Sequence, residues 1–117
     1  MNPRLAVWTG WALRILAAAL FGLAAAAKLG GHPMMLAEFD KIGLGQGFRY
    51  FTGAVEAAGA LMVLWPRTVL PGALVLLGIC AGALAAQLGP LKGDIIHVFV
   101  FAAPVAATAW LNRPRAG

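Results

Sequence analysis

The chain has 117 residues, of which 62% are hydrophobic and 11% are charged. A soluble domain carries roughly a quarter charged residues, and a fold this small cannot bury so much apolar surface by itself. The composition therefore excludes an ordinary soluble domain and predicts a single integral membrane domain surrounded by the lipid bilayer. The net charge of +5 does not indicate nucleic-acid binding, because the basic residues are scattered and form no patch with aromatic residues.

The first apolar stretch, 6–28, is long enough for a membrane helix, which needs about 20 residues. It exceeds the roughly 7–15 apolar residues of a signal-peptide core and contains Arg14, so we expect it to remain in the protein. The following segment, 34–42, has apolar residues at helical spacing between Pro33 and Gly43. This pattern predicts a short amphipathic helix that lies on the membrane surface.

Three further apolar stretches of membrane-crossing length follow, at 48–66, 69–88 and 95–112. Helices are expected throughout, because an open strand would leave backbone groups unpaired in lipid. The sequence thus predicts an all-α fold, a transmembrane four-helix bundle with a short interfacial helix between its first two membrane helices. Gly78 and Gly82 have the GxxxG spacing of closely packed membrane helices, so we expect tight packing there.

Four crossings place both termini on one side of the membrane, which is named side A; the opposite side is side B. The tryptophans fall near side A, as in an aromatic belt, and they are Trp8, Trp11, Trp65 and Trp110. Side A also carries arginines without any acidic residue, namely Arg4, Arg67, Arg113 and Arg115. Side B has equally many basic residues, but we expect Lys28 and Arg49 to have partners there. Because basic residues favour the cytoplasm, both termini are expected to be cytoplasmic, in a bacterial inner (plasma) membrane.

Ionisable residues inside a membrane span are costly and indicate function. Arg14 and Glu56 lie deepest, on helices expected to be antiparallel neighbours, so we predict that they point into the bundle and pair with each other. A pair that only fixes the two helices is an equally good interpretation. Helical spacing brings further polar residues toward side B. The residues expected to form a ligand site are Arg14, Lys28, Arg49, Glu56, Gln87 and His97.

Taken singly, these residues have plainer interpretations, since Lys28 is typical of a snorkelling side chain and His97 of an interfacial one. Their convergence is what favours a ligand site, with Glu56 as the candidate catalytic residue. His32 and His97 are too few and too far apart to predict a metal or haem site. The single Cys80 lies in an apolar run and is expected to pack as a small hydrophobic residue.

The chain resembles the DoxX-like family of small four-helix membrane proteins from about Arg14 to Asp94. The residues that carry the resemblance are Arg14, the segment from Gly22 to Lys28-Leu29, Phe39 with Ile42-Gly43, Glu56 with Gly59-Ala60 and Pro66, then Gly72 and Gly93-Asp94. Relatives often have a histidine near the end of the third helix, where this chain has Gln87. Some members look like subunits of thiosulfate–quinone oxidoreductases, and others are linked to redox stress complexes at the membrane.

Three functions are consistent with these patterns. The leading hypothesis is a redox-linked accessory that binds a quinone or another lipid-soluble molecule within the bundle. The sequence carries no redox cofactor motif, so no intrinsic cofactor is expected, and electrons would come from a membrane partner subunit; a homo-oligomer is the other expected assembly. The second is a membrane isomerase or cyclase that uses Glu56 as general acid on an apolar substrate. The third is a non-catalytic assembly or chaperone subunit of a membrane complex.

Overall fold

The computed structural model describes residues 2–93 and 95–113, so that Asp94 and Arg115 lie outside the described residues. It is all-α, as predicted. The helices are α1 (Pro3–Gly30), α2 (Pro33–Ile42), α3 (Gln46–Leu64), α4 (Val69–Leu88) and α5 (Ile96–Leu111).

The first two helices are delimited by capping residues. At the start of α1, the side chain of Asn2 accepts a hydrogen bond of 2.9 Å from the backbone N–H of Arg4. The helix ends at Gly31, whose φ of 71° lies in the left-handed region that glycine adopts without strain. The His32 side chain caps α2 by accepting from the backbone N–H of Met34 at 3.2 Å, and Gly43 ends it with φ 80°. A helix is therefore present where the amphipathic pattern predicts one.

The short turn between α3 and α4 begins earlier than expected. The second apolar stretch extends to Pro66, but α3 ends at Leu64 and Trp65 is extended, with φ −100° and ψ 126°. The reason is local, because a proline disfavours the helical conformation in the residue before it. Thr68 then donates a hydrogen bond of 2.7 Å from its hydroxyl to the carbonyl oxygen of Met62, which satisfies one of the last carbonyls of α3.

The four long helices pack in a ring. α1 contacts α3 and α5, α4 also contacts α3 and α5, and α2 lies against α1 and α3. At the side A end, Trp8, Trp65 and Trp110 are exposed, whereas α2 lies at the side B end. The buried core between the helices is apolar and consists of Ala17, Phe21, Ala60, Val63, Ala73, Leu76, Cys80, Val98 and Val105.

Two of the described helices, α1 and α4, are long and apolar enough to cross a membrane by length and composition. Only 22% and 28% of their apolar windows are buried within the protein. Most of this apolar surface therefore faces outward, unlike the apolar face of a helix in a soluble protein, which packs on the core. The other two long helices do not meet these criteria. α5 is apolar but has only 16 residues, and α3 is less apolar because it carries the buried Arg49 and Glu56.

Candidate functional site

A cavity of about 530 Å³ lies in the half of the bundle toward side B. Its volume falls within the roughly 300–1,000 Å³ of small-molecule sites. All five helices contribute to its wall, which is mainly apolar and aromatic; the aromatic members are Phe21, Phe39, Phe48, Phe51 and Phe101. Phe21 and Phe101 meet edge to face with their ring centroids 5.3 Å apart, an arrangement that aromatic pairs favour. Such a wall suits an apolar molecule.

An ion pair between Lys28 and Glu56 forms the most polar part of the wall. The Lys28 ammonium donates a hydrogen bond to Glu56 Oε1, and the side chains are 15% and 2% exposed, respectively. Both residues line the cavity. Pairing lowers the cost of holding either charge away from water. An ammonium has three donors, so Lys28 can also donate to a bound molecule.

The end of α1 is attached to α3, which positions the Lys28 side chain. A Cβ at Gly53 would lie 3.1 Å from the Lys28 Cβ and 3.0 Å from Leu29 Cγ, so only glycine permits this approach without a shift. The buried guanidinium of Arg49 donates from Nη1 to the carbonyl oxygen of Lys28 and from Nε to Gln46 Oε1 at 2.8 Å. The last carbonyls of a helix carry partial negative charge, so they stabilise this cation.

Arg14 does not pair with Glu56, which corrects the sequence-based prediction. Both residues are buried, at 8% and 2% exposure, but Arg14 Nε donates to the carbonyl oxygen of Val63 at 2.6 Å. Its guanidinium also lies 3.8 Å from the centre of the Trp11 ring, and its buried Nη2 has no hydrogen-bond partner among the described residues. Arg14 therefore belongs to the side A half of the bundle and does not line the cavity.

The axial positions of the residues explain why Lys28 is the partner of Glu56. Arg14 is level with Val63, which is seven residues from Glu56, or about 10 Å along the helix axis. Lys28 packs beside Gly53, which is three residues from Glu56, or about 4–5 Å along the axis. The shorter axial distance lets the lysine side chain reach the carboxylate.

Gln87 lies at the side B end of the cavity. It is 7% exposed, and its side-chain amide makes no hydrogen bond with any of the described residues. The side-chain oxygen lies against Gly93, where there is no room for a Cβ. An amide that hydrogen-bonds to none of the described residues has its donors and acceptor available, so Gln87 offers hydrogen-bonding capacity to a molecule in the cavity.

A smaller cavity of about 400 Å³ adjoins the first at the side B end. The two share five lining residues, which are Met35, Glu38, Gln87, Leu91 and His97. His97 is exposed, and Glu38 is half-buried on α2. The cavity is thus continuous with a more polar opening on side B, and α2 forms part of both walls.

Four of the six predicted site residues therefore line one cavity, namely Lys28, Glu56, Gln87 and His97. The other two do not line it: Arg49 donates to the carbonyl oxygen of Lys28, and Arg14 lies in the side A half. Among the titratable residues of the lining, sequence analysis missed Glu38 and Cys80. Cys80 is seven residues before Gln87, and this i, i+7 spacing places both on one face of a helix, which is the signal that could have found it.

The GxxxG expectation for α4 is also corrected. A Cβ at Gly78 or Gly82 would meet nothing within 4 Å, and both residues are exposed and line the cavity. The glycines that do permit close helix packing on this side of the ring are Gly59 and Gly72. Their Cβ atoms would lie 2.7 Å from Leu76 Cδ2 and 2.6 Å from Met62 Cβ, respectively.

The structure is a small all-α bundle with two helices apolar enough to cross a membrane and an internal, mainly apolar cavity. The model of the DoxX-like family matches residues 12–111 of the chain. The chain belongs to the DoxX-like family, as the sequence motifs indicate. No curated protein and no solved structure matches it.

Proposed function

We propose that this DoxX-like membrane protein binds a lipid-soluble molecule with a polar head, of the quinone class, in the side B cavity. The observation that carries the proposal is the combination of an apolar wall with the buried Lys28–Glu56 pair and with a Gln87 amide that hydrogen-bonds to none of the described residues. An apolar site with a few convergent polar groups is typical of small-molecule binding. The protein then serves as an accessory to a redox partner in the same membrane.

The chemistry of a quinone head complements these polar groups. Its carbonyl oxygens accept hydrogen bonds, and Lys28 and Gln87 have donors to offer. The hydroxyl groups of the reduced form donate, and the Glu56 carboxylate accepts. The sequence has one cysteine and no redox cofactor motif. The two electrons and two protons that separate quinone from quinol would therefore be exchanged with a partner subunit and with water at the side B opening.

All four long helices cross the membrane in this proposal, and α2 lies at its surface. The exposed apolar faces of α1 and α4 support it, as do the exposed tryptophans at side A. We place the protein in a bacterial inner membrane with both termini in the cytoplasm. A reporter that is active only in the cytoplasm should therefore be active when fused after Gly117. If only reporters of the opposite compartment are active there, the topology is the reverse of the one proposed.

Direct binding tests the proposal. The purified protein in detergent is titrated with a dimethoxymethylbenzoquinone that carries a decyl chain, and binding is followed by quenching of tryptophan fluorescence and by calorimetry. Glu56→Gln is expected to weaken binding about tenfold, because it breaks the pair that positions the Lys28 donor. Asp40→Asn is the matched control, since Asp40 is an exposed acid on α2 outside the cavity lining. Absence of saturable binding to the unmodified protein contradicts the proposal.

The two other functions have different signatures. An isomerase or cyclase that uses Glu56 as general acid would turn over an apolar substrate without any redox partner. An assembly or chaperone subunit would co-purify with a stable larger partner while the cavity binds no added ligand. The burial of Glu56 against the cavity wall favours the first of these over the second, and a turnover assay with Glu56→Gln as the inactive control decides it.

A further inference from the structure

One side of the cavity is open to the outside of the bundle, at the depth of the membrane interior. Gly78, Gly82 and Ala85 share one face of α4, at i, i+4 and i+7. All three are exposed and also line the cavity. Phe51 of α3 has the same two properties and is 64% exposed. Residues that are at once lining and exposed mark where a cavity reaches the surface.

Among the described residues, no other helix fills this opening. A Cβ at Gly78 or Gly82 would have no atom of another described residue within 4 Å, apart from those of its own helix backbone and chain neighbours. In the side A half, by contrast, a Cβ at Gly72 would lie 3.0 Å from the backbone nitrogen of Val63, so α3 and α4 are in direct backbone contact there. The two helices are therefore closely packed near side A and have the cavity between them toward side B.

The depth of the opening identifies the medium it faces. Gly82 is six residues before the end of α4 at Leu88, or about 9 Å along the axis. Phe51 is five residues after the start of α3 at Gln46, or about 8 Å along the axis. In a helix that crosses a hydrocarbon core about 30 Å thick, these positions face acyl chains and not water. The polar side B mouth is a separate opening.

We propose that this gap between α3 and α4 is a lateral window through which a long hydrocarbon tail of the ligand passes from the cavity into the bilayer. The inference rests on the proposed function and narrows its ligand class to a polar head on a long isoprenoid or acyl tail. The head stays inside because the polar groups of the wall are there: the Lys28–Glu56 pair and the Gln87 amide, which lines the cavity and hydrogen-bonds to none of the described residues. The glycines of α4 keep the window open, since larger side chains at these positions would project into it.

The first test compares two quinones on two leucine variants. Gly82→Leu fills the window, and Gly22→Leu is the matched control, because a Cβ at Gly22 also meets nothing within 4 Å and Gly22 does not line the cavity. For the decyl-tailed quinone, Gly82→Leu is expected to weaken binding about tenfold, the cost of overfilling an occupied space. The same ring without the tail should bind Gly82→Leu and the unmodified protein equally well. Gly22→Leu should alter neither affinity.

Two results would overturn the window. One is unchanged affinity of Gly82→Leu for the tailed quinone. The other is an equal loss for both quinones, which would mean that the leucine disturbs the head site. If decanoate displaces the tailed quinone, the window is supported and its natural ligand is an acyl-chain lipid. If decanoate does not displace it, the natural ligand is a tailed molecule with a quinone-type head.

A second measurement needs no quinone and judges the window even if neither ring binds and the proposed function fails. Cys80, the single cysteine, lines the cavity. Its thiol adds across the double bond of a maleimide, with the sulfur bonding to one carbon and the thiol proton going to the neighbouring carbon. In membrane vesicles, N-decylmaleimide should label Cys80 about tenfold more slowly in Gly82→Leu than in Gly22→Leu. Equal labelling rates in these two variants would overturn the window.

Discussion

The two halves of the bundle differ in how densely their helices are packed. Toward side A, helices meet through glycines, and the core residues Val63, Ala73 and Val105 are fully buried at 0% exposure. Toward side B, the same helices surround a cavity lined by a buried ion pair and by the side-chain amide of Gln87. Dense packing stabilises a membrane bundle through van der Waals contact, whereas a cavity and buried polar groups cost stability. We infer that the side A half holds the fold together so that the side B half can retain a binding site.

The largest effect is expected from breaking the ion pair of the side B half. Lys28→Met leaves the Glu56 carboxylate buried without its cation, which should lower the free energy of unfolding by about 3 kcal/mol or more. Adding Glu56→Gln to this variant should recover part of the loss, because a neutral amide is cheaper to bury than a lone charge. Thermal unfolding in detergent measures both effects.

Lys41→Met is the control for this experiment. Lys41 is exposed on α2, so its removal should change the unfolding free energy by less than about 0.5 kcal/mol. If Lys28→Met is as stable as Lys41→Met, the pair contributes nothing measurable to the fold.

The next prediction compares a glycine-to-alanine substitution in each half. The changes in stability should have opposite signs. Gly72→Ala places a Cβ 2.6 Å from Met62 Cβ and forces α3 and α4 apart, at a cost of about 1–3 kcal/mol. Gly82→Ala meets open space and should gain about 0.5–1 kcal/mol, because alanine loses less backbone entropy in a helix. Melting temperatures of the two variants provide the measurement. Equal losses at both positions would show that α4 is packed along its whole length.

A smaller effect separates stability from binding. Gln87→Leu removes an amide that hydrogen-bonds to none of the described residues, so stability should stay within about 0.5 kcal/mol, while affinity for the decyl-tailed quinone should fall about tenfold. Gln46→Leu, by contrast, should lower stability. The Gln46 amide donates to the carbonyl oxygen of Leu36 at 3.2 Å and accepts from Arg49 at 2.8 Å, so its loss should cost about 1–3 kcal/mol of stability. A fall in stability without a fall in affinity in Gln87→Leu would remove this residue from the site.

The helices of the fold could be predicted from sequence because their signals are local. Apolar runs, prolines and glycines indicate where each helix lies, and α2 is an example, since Pro33 and Gly43 flank its amphipathic pattern. The convergence of Lys28, Glu56, Gln87 and His97 could be predicted as well, because residues on the same face and at the same end of a bundle must lie close together.

The pairing of Glu56 could not be predicted, because it depends on the axial offset between two helices. α1 ends beside Gly53, seven residues into α3, and this offset is absent from any local pattern. The prediction of close packing at Gly78 and Gly82 was wrong for a similar reason. Their spacing permits close packing, but whether a neighbour lies there depends on how far α3 and α4 diverge toward side B.

The smallest expected effect is the coupling between Arg14 and Glu56, which tests whether the two halves are independent. Their levels differ by about 10 Å along the helix axis, and their hydrogen-bond partners are different, Val63 and Lys28. The stability losses of Arg14→Gln and Glu56→Gln should therefore add in the double variant to within about 0.5 kcal/mol. Because Arg14 does not line the cavity, Arg14→Gln should also leave the affinity for the decyl-tailed quinone unchanged. A double variant that is clearly more stable than the sum of the two losses would mean that a water or a bound polar group links Arg14 to Glu56, and the binding site would then extend into the side A half.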